Sequence, residues 1–125
     1  RQMCIRDRGK DVVGRARTGT GKTISFLLPS LERVVQKHQL SNLPTGIAIL
    51  ILSPTRELAA QIGKAAERLV AKHGSEITSQ VVYGGSSRFE DIDKFEKQLP
   101  TILVATPGRL KDHLATTKLK GTRPF

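Results

Sequence analysis

Between residues 16 and 23 the chain reads Ala16-Arg17-Thr18-Gly19-Thr20-Gly21-Lys22-Thr23, directly behind the apolar pair Val12-Val13. No other segment constrains the fold as tightly. Glycines at 19 and 21 admit backbone conformations that a Cβ forbids and let N–H groups approach an anion closely. The lysine and threonine behind them open a helix whose first amides have no intrahelical partner. Strand, glycine loop and helix in that order make a cradle for phosphate. Lys22 brings a flexible positive charge to the terminal phosphates, and the Thr23 hydroxyl completes the coordination of a magnesium ion held between phosphate oxygens.

The generic loop pattern asks for glycine at position 16, where Ala16 stands. A dinucleotide fingerprint on Gly19 and Gly21 requires Gly or Ala at 24, and Ile24 occupies that place. A plain strand-to-helix turn uses the glycines but needs neither Lys22 nor Thr23.

At 125 residues the chain matches one modest domain and falls short of the usual parallel nucleotide-binding sheet, so an incomplete domain is an open reading. Its first residue is Arg1 and not Met, which reads as a piece of something longer. The net charge of +10 points to a polyanionic partner, nucleic acid before an anionic membrane surface, although solubility alone also accounts for it. Cys4 is the single cysteine, which precludes an intramolecular disulfide and suits an intracellular, reducing compartment. His38, His73 and His113 lack partners at metal-ligand spacing and read as solvated or core histidines, leaving nucleotide-bound magnesium as the only expected metal. The apolar run from Ile47 to Leu52 is too short to span a bilayer, and the first residues lack a signal-peptide layout.

Strand-like and helix-like segments alternate, as in parallel strands joined by helical crossovers. Asp11 to Arg15 reads as a first strand, Lys22 to Lys37 as a helix and Leu40 to Gly46 as a loop. Ile47 to Leu52 fits a central strand buried on both faces. From Arg56 to His73, Leu58, Ile62, Ala65 or Ala66, and Leu69 recur at helical spacing, with Gly74 at the C-terminus. Ile77 to Tyr83 reads as a third strand. Ser87 and Glu90 form a capping box for a helix whose buried face carries Phe89, Ile92, Phe95 and Leu99, and Pro100 closes it. Thr101 to Ala105 is a fourth strand, Thr106-Pro107-Gly108 a turn, and Arg109 to Ala115 a short helix.

In an open parallel sheet, ligands gather at the carboxyl ends of the strands. Each predicted strand ends there in a polar or glycine-rich turn: the loop at 16–23, Pro54-Thr55-Arg56-Glu57, Gly84-Gly85 and Thr106-Pro107-Gly108-Arg109. Taken singly, such turns are most often plain connectors. Together they offer bare backbone at Gly84-Gly85, helix N-termini behind Thr55 and Thr106, and the charges of Arg56 and Arg109 to a phosphodiester chain.

In this order and spacing the segments resemble four motifs of the amino-terminal RecA-like domain of DEAD-box ATP-dependent RNA helicases, over Gly9 to about Phe125. ARTGTGKT at 16–23 looks like motif I, which begins with Ala in that family. PTRELA at 54–59 is similar to motif Ia, YGG at 83–85 to the glycine doublet, and ATPGR at 105–109 to motif Ib. The resemblance implies an α/β fold, a RecA-like P-loop parallel sheet with helices on both faces, incomplete at both ends. It also implies that Ala16, Arg17, Thr18, Gly19, Thr20, Gly21, Lys22 and Thr23 bind ATP and Mg2+. Pro54, Thr55, Arg56, Gly84, Gly85, Thr106, Pro107, Gly108 and Arg109 then grip the RNA sugar-phosphate backbone. The few aromatics, Phe26, Tyr83, Phe89, Phe95 and Phe125, fall mostly on predicted buried faces, so recognition should be indifferent to base sequence.

Residues 1–8 depart from the family pattern and read as a non-native or disordered segment, with 9–125 a partial RecA-like ATP-binding domain. The family's adenine-reading glutamine would precede Arg1 by spacing, and Gln2 does not match it. Neither an Asp-Glu-Ala-Asp segment nor a second RecA-like domain with its arginine finger occurs in these residues. The resemblance therefore implies a helicase parent with RNA and a second domain as partners, while the 125 residues alone should be inactive; nothing in the sequence points to a homo-oligomer or to a membrane. A non-catalytic RNA-binding module and another P-loop ATPase, such as a DNA helicase, are the alternatives.

Overall fold

Three short stretches, ILIL, SQVV and ILVA, become parallel strands: β1 (Ile49–Leu52), β2 (Ser79–Val82) and β3 (Ile102–Ala105). They belong to a computed structural model that describes residues 11–15, 17, 21–38 and 46–116 and divides into two compact units, residues 1–43 and 44–125. The predicted non-native segment 1–8, the loop residues 40–45 and the C-terminal 123–125 lie outside the described residues.

In the first unit, α1 (Lys22–His38) forms as the sequence predicts, although Pro29 sits inside it and has no N–H for the ladder. The Ser30 hydroxyl donates to the Phe26 carbonyl at 2.7 Å, a back-bond that accompanies the interrupted ladder. Leu27 and Leu31, four residues apart, are buried. The strand predicted over Asp11 to Arg15 is not found. These residues are exposed, Val13 fully, and take up no strand pairing among the described residues. A β-prone run becomes a strand only where a neighbour completes its ladder.

In the second unit the order is β1-β3-β2, so three strands stand among the described residues where the sequence suggested four in the chain. Leu50 pairs with Leu103, Gln80 with Leu103, and Val82 with Ala105, which sets one face of the sheet. The continuous apolar run buried on both faces is β3, with all four residues buried, whereas β1 leaves Leu52 exposed at the edge of the described sheet. Position in the order, not hydropathy, decides which run is central.

Helices cover both faces. On one, α2 (Arg56–Val70) approaches so closely that any Cβ at Gly63 would meet Val81. On the other, Phe95 of α3 (Arg88–Lys97) joins Val82, Leu103 and Ala105, with Leu99 and Leu110 packed alongside. Leu110 belongs to α4 (Pro107–Thr116).

Local signals held at the helix starts. Thr55 accepts from the Leu58 amide at 3.2 Å and Ser87 from the Glu90 amide at 3.4 Å. The chain over Thr106-Pro107-Gly108 is a helix start and not a turn. Leu110 N donates to Thr106 O at 3.0 Å, so Thr106 takes the cap position and Pro107 the first helical one, where its fixed φ suits and its missing N–H costs nothing. The predicted Arg56–His73 helix ends at Val70 and tightens into a 3₁₀ turn over Ala71–Glu76.

Two helix faces differ from the prediction. In α2 the buried residues are Ala59, Ile62, Gly63, Ala66 and Val70, with Leu58 exposed, because small residues let the helix approach the strand. In α3 Phe89 is 85% exposed, and Asp91 is buried one helical turn before Phe95. A charged group takes the inward place because partners await it there.

Candidate functional site

The helix start in the first unit is built as its sequence suggested. Gly21 has φ +72°, a conformation that L side chains rarely adopt, and Lys22 is the first residue of α1. The Ser25 amide donates to Gly21 O at 3.0 Å, and no acidic residue stands in the first turn to oppose an anion. Lys22 is exposed and Thr23 half-buried. Arg17 is described as well, whereas Ala16, Thr18, Gly19 and Thr20 lie outside the described residues.

In the second unit the sheet brings the other three motifs together. The ladder runs to the strand ends, with Ser53 N donating to Ala105 O at 2.9 Å and Thr106 N to Val82 O at 3.1 Å. Three chain segments thus leave the sheet side by side. They surround an open cavity of about 570 Å³ lined by Pro54, Thr55 and Arg56 after β1, Gly84 after β2, and Thr106, Gly108 and Arg109 after β3. Capped by Thr55 and Thr106, α2 and α4 begin at this cavity, so their leading amides and dipoles favour an anion there. Glu57 and Asp112 also line it, so attraction for an anion rests on backbone amides and Arg56 and not on a uniform field.

Gly85 and Pro107 adjoin these lining residues in the chain. Tyr83 to Ser86 form a tight turn, with Ser86 N and Oγ donating to Tyr83 O at 3.4 and 2.9 Å. Gly85, at its third position, has φ +95°. A Cβ there would lie 2.6 Å from Nη1 of Arg56, so that guanidinium rests over the bare glycine.

Arg109 enters the site differently. Its Nε and Nη2 donate to Oδ2 of Asp91 at 3.1 and 3.0 Å, and Nη2 also donates to the Ser86 carbonyl at 2.7 Å. The two side chains are only 10% and 7% exposed. His113, fully buried one turn after Arg109, brings Nε2 to 3.2 Å from the same carboxylate oxygen and sets its ring edge-on to Phe95 at 5.2 Å. The expectation of a core or solvated histidine holds for His113. Sequence reading missed Asp91. Its signal was spacing, since Asp91 and Phe95 stand four apart on α3, as Arg109 and His113 do on α4.

A second open groove of about 560 Å³ lies among residues of α2, β2 and α3, with Lys64 and Lys94 set against Glu67 and Glu90 and no strand-end turn other than Tyr83 and Ser86. Among the described residues no group of three His, Cys, Asp or Glu could hold a metal ion, and no helix is long and apolar enough to cross a membrane.

The profile of the DEAD/DEAH box helicase family matches residues 2–124. The chain is 47% identical over 106 residues to the mitochondrial ATP-dependent RNA helicase mss116 of Aspergillus oryzae, covering 84% of this chain and 16% of that protein. It is 48% identical over 111 residues to the ATP-dependent RNA helicase HAS1 of Mycosarcoma maydis, covering 88% and 18%. With DEAD-box ATP-dependent RNA helicase 25 of Arabidopsis thaliana the identity is 46% over 117 residues, covering 92% and 21%. These matches span about a fifth of the relatives' length. Among solved structures, a hypothetical ATP-dependent RNA helicase from Sulfolobus tokodaii superposes with a TM-score of 0.71 at 32% identity, over 91% of this chain and 30% of that one.

Proposed function

The chain belongs to the DEAD/DEAH box helicase family, and on that premise we propose that it forms the ATP- and RNA-backbone-binding part of an ATP-dependent RNA helicase. One observation carries the reading: three strand-end turns, distant in sequence, surround a single cavity with two helix N-termini, the bare backbone of Gly84 and the Arg56 side chain. Such donors suit a sugar-phosphate chain, which presents repeated anions and the same groups whatever its bases.

Lys22 and the amides from Ala16 to Thr23 would hold the nucleotide phosphates. Positive φ at Gly21, an exposed Lys22 and a first turn free of acid fit that role. The Thr23 hydroxyl would ligate Mg2+, which when bound neutralises charge on the phosphates. Pro54, Thr55, Arg56, Gly84, Gly85, Thr106, Pro107, Gly108 and Arg109 would form the RNA surface, with a second RecA-like domain as the partner that completes hydrolysis and duplex remodelling.

The test takes the full-length protein. Lys22→Ala should abolish RNA-stimulated ATP hydrolysis while the far-UV dichroism stays native. Arg56→Ala should weaken binding alike for RNAs of different sequence, with the slope of log K against log salt shallower by about 0.7 for one lost contact to a single strand. Hydrolysis at the original rate in Lys22→Ala refutes the nucleotide role and leaves a non-catalytic binding module. A loss confined to one base composition refutes backbone recognition.

A further inference from the structure

One arginine that lines the strand-end cavity is held by a carboxylate that does not line it. Arg109 counts among the cavity's residues, yet two of its guanidinium nitrogens are held by Asp91 and Ser86: Nε and Nη2 converge on one carboxylate oxygen, and Nη2 reaches back to the carbonyl that follows the Gly84-Gly85 turn. The Arg109 and Asp91 side chains are close to fully buried. Asp91 is fixed from several sides. Its Oδ2 also faces His113, its carbonyl accepts from Gln80 Nε2 at 3.4 Å, and it lies one turn into α3 from the Ser87 cap. A carboxylate held this firmly is a fixed anchor, and a planar guanidinium is the side chain that can span from it to a backbone oxygen in one geometry.

We propose that Asp91 is a positioning residue for the RNA-backbone surface: through Arg109 it holds the Tyr83–Ser86 turn in the form that presents the glycine doublet, and Arg109 acts by this brace and not by touching phosphate. The inference rests on the RNA-backbone reading of the cavity and adds a residue outside all three strand-end motifs. The turn is gripped from two directions. Arg56 of α2 covers Gly85, and Arg109 of α4, anchored on α3, draws in Ser86. Those contacts register three helices against one four-residue turn.

Opposite signs separate the brace from a direct contact. If Arg109 were a phosphate ligand restrained by Asp91, then Asp91→Asn would remove a competing negative charge and RNA would bind as tightly or more so. As a brace, Asp91→Asn weakens the hold on Arg109, the turn loosens, and RNA affinity falls about tenfold, the scale of one hydrogen bond to a charged group. Arg109→Lys gives a second, independent reading. A lysine serves a phosphate as a point charge but cannot reproduce the fork that joins Asp91 to Ser86. The brace predicts that lysine loses about as much affinity as alanine.

The experiment uses the full-length protein and a single-stranded RNA oligonucleotide, with ATP affinity in the absence of RNA as the control for folding. Amide hydrogen exchange at Gly84 to Ser86, measured without RNA, reports the turn itself. Faster exchange there in Asp91→Asn, unchanged exchange in β1, unaltered ATP affinity and weaker RNA binding in both variants support the proposal. Equal or tighter RNA binding by Asp91→Asn, or full retention by Arg109→Lys, overturns it. Should Asp91→Asn lose ATP binding as well, Arg109→Lys and its exchange profile decide. Should the wild-type protein fail to bind RNA, the functional reading falls, while the exchange measurement still decides whether Asp91 holds the turn.

Discussion

At Gly85 the backbone takes φ +95° and the Arg56 guanidinium lies where a Cβ would stand. Conformation and space therefore both exclude a side chain. Its neighbour Gly84 has neither constraint, since its φ is not in the left-handed range and nothing lies within 4 Å of an added Cβ. Gly85→Ala is expected to destabilise the protein by about 1–2 kcal/mol through backbone strain alone. It should also weaken RNA binding by displacing Arg56. Gly84→Ala should leave stability unchanged or slightly raised, since a compatible Gly→Ala change restricts the unfolded chain. Urea unfolding midpoints of the two variants check this, and equal losses in both would contradict the assignment of strain to Gly85. The sequence showed a glycine doublet near a strand end, but nothing in it said which glycine was indispensable.

Among the elements, α2 and β2 meet in a close seam, because Gly63 leaves no room between helix and Val81. Valine is stiff at χ1 and cannot swing aside at little cost. Gly63→Ala is expected to cost about 1–3 kcal/mol by overpacking, and the double variant with Val81→Ala should lose less than the sum of the single changes. Thermal unfolding of the three proteins measures the coupling, and strict additivity would mean that the seam relaxes elsewhere. At this scale the sequence was informative about starts and less so about faces. Caps at Thr55 and Ser87 and the extent of α1 were legible because hydrogen bonds over three or four residues set them. The offset of the α2 face from Leu58 to Ala59 and the exposure of Phe89 were not, since a face is chosen by what approaches it.

For the molecule as a whole, the net charge of +10 and a cavity built of backbone donors argue for RNA binding that falls steeply with salt and little with base composition. The sequence contains no Asp-Glu-Ala-Asp segment. A polypeptide of these 125 residues is therefore expected to show weak nucleotide and RNA binding but no RNA-stimulated ATP hydrolysis or duplex separation. Turnover assayed with ATP, magnesium and RNA, against a Lys22→Ala copy to exclude contaminants, tests this. Lys22-dependent turnover by the 125 residues would show that these elements suffice for catalysis.

What the sequence by itself determined was local or periodic: the Gly-rich helix start before Lys22, the helix caps, the aliphatic strands, and the motifs that identify the family. Each depends on residues a few positions apart, so one-dimensional order suffices. Only the tertiary structure decided that β3 is the central strand of the described sheet and that Thr55, Gly84 and Thr106 line one cavity. It alone joined Asp91 to Arg109 and His113, eighteen and twenty-two positions away. Apolar periodicity marked Phe89 as inward and passed over Asp91, because it weighs each side chain by its own solvation. Burial of a charge is set by the partner that meets it, and that partner arrives only when parallel strands carry α3 and α4 to the same side of the sheet.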